Sequence, residues 1–169
     1  MTRRGFLMAG ACASSVIFLS TQGFAMFGSK PSLDDKIFPM QLSDAEWKDR
    51  LTDQEYYVLR EHGTERSGTS PLDQINDDGV YHCAGCDQEL FNSAHKFDSG
   101  TGWPSFYQPI DGVDGTAIGE RVDNTLWMKR TEVHCSNCGG HQGHVFPDGP
   151  EPTGLRYCIN GVALNFKSV

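Results

Sequence analysis

Hydrophobic and polar positions change their rhythm twice along the chain. Residues 1–25 open with Arg3-Arg4, run through an uncharged apolar stretch from Met8 to Leu19, and end with small residues at Gly23 and Ala25. A charged start, a short apolar middle and a small-residue end predict an export signal. Residues 26–42 show no clear period, contain Pro31 and Pro39, and read as a linker. From Ser43 the pattern becomes helical. Ser43-Asp44-Ala45-Glu46 and Thr52-Asp53-Gln54-Glu55 both fit the capping box, in which a hydroxyl and a carboxylate satisfy the first backbone N–H groups of a helix. The second helix is predicted to run to about His62 and to stop at Gly63. Residues 64–78 read as a loop, with Gly68, Pro71 and Asn76-Asp77-Asp78 before Gly79. Short strands are predicted from there on, at Val80–Cys83, Ser105–Pro109, Thr125–Cys135 and Ala163–Lys167.

The pattern thus predicts a signal over 1–25, a linker over 26–42 and one domain over 43–169. That domain is mainly β, a β-rich α+β fold with short N-terminal helices, and 19 glycines suit its many turns. The length of 169 residues fits one domain. A chain of this size buries roughly 68–70% of its unfolded surface, so it needs no disulfide staples. Its six cysteines need another explanation.

Charge removes one class of partner. Lys and Arg total 14 against 22 Asp and Glu, a net charge of −8. Loss of residues 1–25 would remove two arginines and no acid, making it −10. Such a chain repels a phosphate backbone, so nucleic acid is excluded as a partner.

Cys83-Ala84-Gly85-Cys86 and Cys135-Ser136-Asn137-Cys138 are two Cys-x-x-Cys pairs. Two intervening residues let both sulfurs of a pair face one ion, and two pairs supply a closed tetrahedral zinc site. Gly85 and Gly139-Gly140 are what tight turns there would use. Residues 87–134 separate the pairs, which predicts a clamp between two hairpins of a larger domain. Local disulfides, or a thioredoxin-like redox pair, are the other readings. A site with four sulfur ligands has no open position, so one zinc per chain would be structural.

With Cys12 inside the signal, Cys158 is the remaining cysteine. Arg156 lies two residues away, on the same face if the segment is a strand, and a nearby cation favours the reactive thiolate. A buried structural cysteine fits the same residues. His141 and His144 suit acid–base work, or are polar loop residues. Trp103, in a Gly-rich turn, fits a substrate platform or a core lid.

Lys96-Phe97-Asp98-Ser99-Gly100-Thr101-Gly102-Trp103-Pro104-Ser105-Phe106 resembles the signature of the methionine-R-sulfoxide reductases. So do Gly143-His144-Val145-Phe146-Pro147-Asp148-Gly149-Pro150 and Pro152-Thr153-Gly154-Leu155-Arg156-Tyr157-Cys158-Ile159-Asn160, along with the four clamp cysteines and Val58–Glu65. The resemblance runs from about Ser43 to the last residue. It implies two small antiparallel sheets with a zinc clamp opposite the active site. It implies that Cys158 attacks the sulfoxide sulfur and becomes a sulfenic acid. His144, with His141, would protonate the departing oxygen, and Asn160 would orient the site. Trp103 would pack on the substrate methyl group, Phe106 would help bind substrate, and Arg156 and Asp148 would tune the site. The implied partners are proteins or peptides carrying methionine-R-sulfoxide, and an external thiol, thioredoxin-like or small. A monomer is expected.

Three positions depart from the family pattern: Thr101 where many members carry a resolving cysteine, Gln142 in place of a frequent Leu, and the loop at 68–72. The first bears on how Cys158 is recycled. A zinc-ribbon interaction module without catalysis is the rival reading. Arg3-Arg4 before Phe6-Leu7 resembles a twin-arginine signal, which exports folded proteins, so a periplasmic location follows. An ordinary secretory signal, or an uncleaved membrane anchor, is the alternative.

Overall fold

A computed structural model describes residues 38–112, 114–125 and 129–169. The expected signal, Cys12 and most of the linker lie outside the described residues. Both capping boxes form. Ser43 caps α1 (Asp44–Arg50) and Thr52 caps α2 (Asp53–Leu59), each accepting from the backbone N–H three residues on while that glutamate accepts in return. Helix α2 ends at Leu59, earlier than the predicted His62. The left-handed residue that turns the chain is His62 (φ 58°), and Gly63 is needed for another reason: the Tyr57 ring occupies the space a Cβ would take.

Nine strands follow among the described residues: β1 (Gly79–Cys83), β2 (Glu89–Asn92), β3 (Lys96–Phe97), β4 (Ser105–Phe106), β5 (Ile118–Asp123), β6 (Arg130–Cys135), β7 (His141–Phe146), β8 (Arg156–Ile159) and β9 (Leu164–Ser168). They form two antiparallel sheets, β2-β1-β9 and β3-β4-β8-β7-β6-β5, as expected for this fold class. The predicted strand at 105–109 is only two residues long, and Leu126–Met128, within the predicted strand at 125–135, lie outside the described residues. Ala163 closes a 3-10 turn, so β9 starts one residue later than predicted.

Strand period then sorts the side chains. Tyr157 and Ile159 of β8 enter the core, leaving Arg156 and Cys158 on the other face. Phe106 pairs with Tyr157 and Ser105 with Cys158, so β4 shares the division. Phe106 stacks on Phe91 at 4.3 Å between centroids and meets Tyr81 edge-on at 5.0 Å. Val58, Leu59, Leu90 and Val133 belong to the same core. Strand β6 links the two functional ends of the domain: Arg130 lies at one end and Cys135 at the other, roughly 17 Å apart at the usual strand rise.

Candidate active site and metal clamp

The two knuckles are built alike. Asp87 N–H returns to the Cys83 carbonyl, and Gly139 N–H to the Cys135 carbonyl, at 2.8 and 2.9 Å. The residue after the second cysteine takes positive φ in both: Gly139 (φ 70°) and Asp87 (φ 65°). Asp is one of the few residues that tolerate this conformation. Gly140 instead makes room for Leu59 of α2, whereas a Cβ at Gly85 would meet only ordinary contacts. The helices brace the clamp, with Arg50 donating to the Gly85 carbonyl and Arg60 to the Cys138 carbonyl.

All four cysteines are free thiols, and their sulfurs lie within 4.8 Å of one another. The Cys83–Cys138 and Cys86–Cys135 separations are 3.7 and 3.5 Å. A disulfide needs about 2.05 Å. Tetrahedral zinc with bonds of about 2.3 Å puts its sulfurs about 3.8 Å apart, so the geometry fits a metal and excludes disulfides here. Mutual hydrogen bonding splits the thiols, pushing Cys86 and Cys138 down and Cys83 and Cys135 up. A divalent cation would let all four ionise together. The fully buried Gln142 amide donates to Cys83 Sγ at 3.4 Å.

At the other end of β6, a cavity of about 140 Å³ brings together Cys158, His144, Asn160 and Trp103. Thr64, Arg130, Gly143 and Phe146 complete its lining. Cys158 and His144 are direct register partners across β8 and β7. At Gly143 any Cβ would strike the Cys158 carbonyl, so glycine is what lets the strands approach there. Asn160 is fixed at both ends: its Nδ2 donates to the Gln142 carbonyl at 2.9 Å, and its Oδ1 accepts from Glu65 N–H at 3.0 Å. Trp103 Nε1 donates to the Glu65 carbonyl at 3.3 Å.

Other sequence-predicted residues stand outside the cavity wall. His141 is buried behind it, its ring centroid 5.5 Å from that of His144 and its Nδ1 2.6 Å from Glu132 Oε1. Arg156 makes a two-pronged pair with Asp148 at 2.9 and 2.8 Å and lies 4.5 Å from the centre of the Phe146 ring. Phe106 does not join the site. Its pairing with Tyr157 turns it into the core, so the expected substrate contact gives way to a packing role.

The carboxylates behind the histidines were absent from the sequence expectation. Asp123 Oδ2 lies 2.8 Å from His144 Nε2 and 2.6 Å from Arg130, and Asp123 also accepts from Thr125. Burial opposes its ionisation, but these partners outweigh burial and hold it well below the usual carboxylate range. Glu132 is held down in the same way by His141, His62 and Arg121. Although His62, Glu132 and His141 present ligand atoms within 4.8 Å, the Arg121 guanidinium already engages both Glu132 oxygens, which closes that cluster as an ion-pair network.

Burial pushes the Cys158 thiol up, and the Thr101 hydroxyl and the Arg156 charge only partly offset it. Arg156 favours the thiolate, as its spacing suggested, but burial outweighs it. Burial also pushes His144 down, against the pull of its Asp123 bond. At pH 7 both shifts favour the neutral forms, a thiol beside an imidazole. A larger cavity, about 730 Å³, lies between α2, the 64–75 loop and β9, with no cysteine or histidine in its lining.

A two-sheet β protein with a four-cysteine clamp at one end and a cysteine–histidine pair in a small cavity at the other defines a narrow class. The SelR domain model matches residues 51–168, and the chain belongs to that family. It is 55% identical over 127 residues to a protein of Agrobacterium fabrum, covering 75% of this chain and 92% of the relative. A Methanosarcina mazei relative is 53% identical over 127 residues, covering 75% and 89%, and one from Leptospira interrogans is 50% identical over 131 residues, covering 77% and 97%. Each bears the name peptide methionine sulfoxide reductase MsrB.

Proposed function

We propose that this protein reduces methionine-R-sulfoxide in proteins or peptides, using Cys158 as nucleophile and an external thiol as reductant. The observation that carries the reading is Cys158 facing His144 in a cavity walled by Trp103, in a SelR-family chain. At about 140 Å³ the cavity is small, which suits a methyl sulfoxide head group rather than a whole residue.

The neutral resting pair sets the proton count. Cys158 Sγ attacks the sulfoxide sulfur as the thiol gives up its proton. The sulfoxide oxygen must gain two protons to leave as water, and the thiol supplies one. The second comes through His144, which Asp123 holds in place, with His141 behind it. Water then attacks the Cys158 sulfur, the S–S bond breaks to release methionine, one proton returns to His144, and Cys158 is left as a sulfenic acid carrying one oxygen. Two external thiols then restore Cys158, yielding one disulfide and one water. Trp103 packs on the methyl group, Asn160 orients the site, and Arg156 with Asp148 tunes it.

The clamp cysteines hold one zinc ion, whose role is structural because four sulfurs close its coordination. Gln142 supports the site from behind, its amide donating to Cys83 Sγ. Among the described cysteines Cys158 alone stands outside the clamp, so a disulfide from Cys158 to any other of them would dismantle the metal site. Residues 1–25 direct export of the folded, zinc-loaded protein to the periplasm through a twin-arginine route, and replacing Arg3 and Arg4 by Lys should block it.

The test is turnover of separated R and S epimers of a methionine sulfoxide peptide with dithiothreitol. Loss of the R epimer alone supports the reading, and no turnover of either rejects it in favour of a binding module.

A further inference from the structure

Three hydroxyls run in line to the nucleophile. Thr101 Oγ1 lies 3.9 Å from Cys158 Sγ, Ser99 Oγ lies 2.8 Å from Thr101 Oγ1, and Ser105 Oγ lies 2.7 Å from Ser99 Oγ. The far end reaches the Trp103 carbonyl, 3.1 Å from Ser105 Oγ. Two features build the chain. Ser105 is the register partner of Cys158, which puts both side chains on one face of β4 and β8. The turn from Asp98 to Gly102 folds Thr101 back over that face, with Gly100 and Gly102 at positive φ and Asp98 Oδ1 accepting from Gly100 N–H.

A hydroxyl donates once, so a row of three can be ordered in either direction. With Cys158 as a thiol, S–H donates to Thr101, Thr101 to Ser99, Ser99 to Ser105 and Ser105 to the Trp103 carbonyl. With Cys158 as a thiolate, Ser105 donates to Ser99, Ser99 to Thr101 and Thr101 to the sulfur. We propose that the Thr101–Ser99–Ser105 row is a reversible hydrogen-bond relay whose Thr101 end is a catalytic group, stabilising the Cys158 thiolate during attack on the sulfoxide. No proton is transferred along the row; each hydroxyl rotates. The thiol proton leaves toward the sulfoxide oxygen as before. The inference deepens the reductase reading and rests on it for its biological meaning, but ionisation of Cys158 is measurable without substrate.

The charged and titratable groups facing Cys158 are His144 on β7, Arg156 on its own strand with Asp148 behind it, and Arg130 on β6. His144 is neutral at rest, and Arg156 is shared with Asp148. Of the groups that lower the thiol against burial, the Thr101 hydroxyl stands first.

The test is the pH dependence of Cys158 alkylation by iodoacetamide in zinc-loaded protein, read by mass spectrometry on the Cys158 peptide. A bond from a neutral donor to a charged sulfur is worth enough that Thr101→Val should move the alkylation midpoint up by roughly one pH unit, a tenfold loss of thiolate at a fixed lower pH. Thr101→Ser should stay within a few tenths of the wild type (~0.3 units), because it keeps the donor. Ser99→Ala should move the midpoint the same way by less, since it removes only the polarisation of Thr101 by its neighbour. A Thr101→Val curve lying on the wild-type curve, or a Thr101→Ser curve shifted as far as Thr101→Val, overturns the proposal. If Thr101→Val does not fold, Ser99→Ala decides: an upward shift supports the relay and an unmoved midpoint rejects it. Loss of turnover with an unshifted midpoint would refute the relay and leave the reductase reading standing, whereas a shifted midpoint in a protein without turnover would do the reverse.

Discussion

Asp123→Asn isolates one contribution to the chemistry, the charge behind His144. The amide keeps the shape and one acceptor oxygen but removes the negative charge that engages His144 Nε2 at 2.8 Å and Arg130 at 2.6 Å. Asp123 is mostly buried, with a side chain 13% exposed, so solvent screens these pairs only in part. Hydrogen bonds to charged groups contribute roughly 1.5–3 kcal/mol, which sets the loss in the reductase step at about 10- to 150-fold. The effect has a second signature. Asp123 raises the His144 imidazole, while burial and Arg130 lower it. Removing the carboxylate leaves only the lowering influences, so the imidazolium must form at lower pH. The rate should therefore begin its decline with rising pH earlier than in the wild type. The assay is single-turnover methionine formation without reductant, measured across pH, with circular dichroism and zinc content as controls for the fold. An unchanged rate and an unchanged high-pH limb in a folded, zinc-loaded variant would refute the role given to Asp123.

Three further outcomes follow from the packing and the clamp. Phe106→Ala should cost about 3–5 kcal/mol in denaturant unfolding through the cavity it leaves between Phe91 and Tyr81, and reductase activity in the residual folded fraction should be largely retained. Activity lost without destabilisation would instead put Phe106 at the substrate. Metal removal by a chelator should unfold the domain rather than only inactivate it, because structural zinc binding is folding free energy, and a chelated protein that keeps its circular dichroism and thermal transition would contradict the clamp. Glu132→Gln should destabilise by roughly 3–5 kcal/mol at pH 7, because it takes from the Arg121 guanidinium a buried counter-charge and from His141 a charged hydrogen-bond partner. The same variant should lose part of the acid sensitivity. Glu132 has a depressed folded pKa, so its stabilisation is full above the unfolded carboxylate value near about 4 and is lost as pH falls below it. A parallel pH–stability curve for the variant would show that Glu132 does not carry that dependence.

What could be read from the residues was what local chemistry decides. Ser43 with Glu46 and Thr52 with Glu55 are complete within one turn, so both helix starts were legible. The Cys-x-x-Cys spacing is local as well, but the crossing of Cys83 to Cys138 and Cys86 to Cys135 is tertiary. Strand β7 escaped the pattern because His141, Gln142 and His144 are polar yet mostly buried in the middle of a sheet, where their partners are Glu132, Cys83 and Asp123. Those partners come from β1, β5 and β6, and no spacing along the chain announces them. Phe106 misled for the opposite reason: it follows Trp103 and Ser105 in one motif, but strand alternation gives neighbours opposite faces. The Cys158–Arg156 proximity was legible, whereas the burial that outweighs the cation depends on the whole cavity.

The central claim is that Cys158 takes the oxygen and holds it for an outside thiol. Reduced, zinc-loaded protein treated with one equivalent of methionine-R-sulfoxide and then dimedone should yield one methionine and one dimedone adduct, on the Cys158 peptide, with zinc retained. Methionine formed without that adduct, or a disulfide from Cys158 to Cys83, Cys86, Cys135 or Cys138 with zinc released, would contradict it.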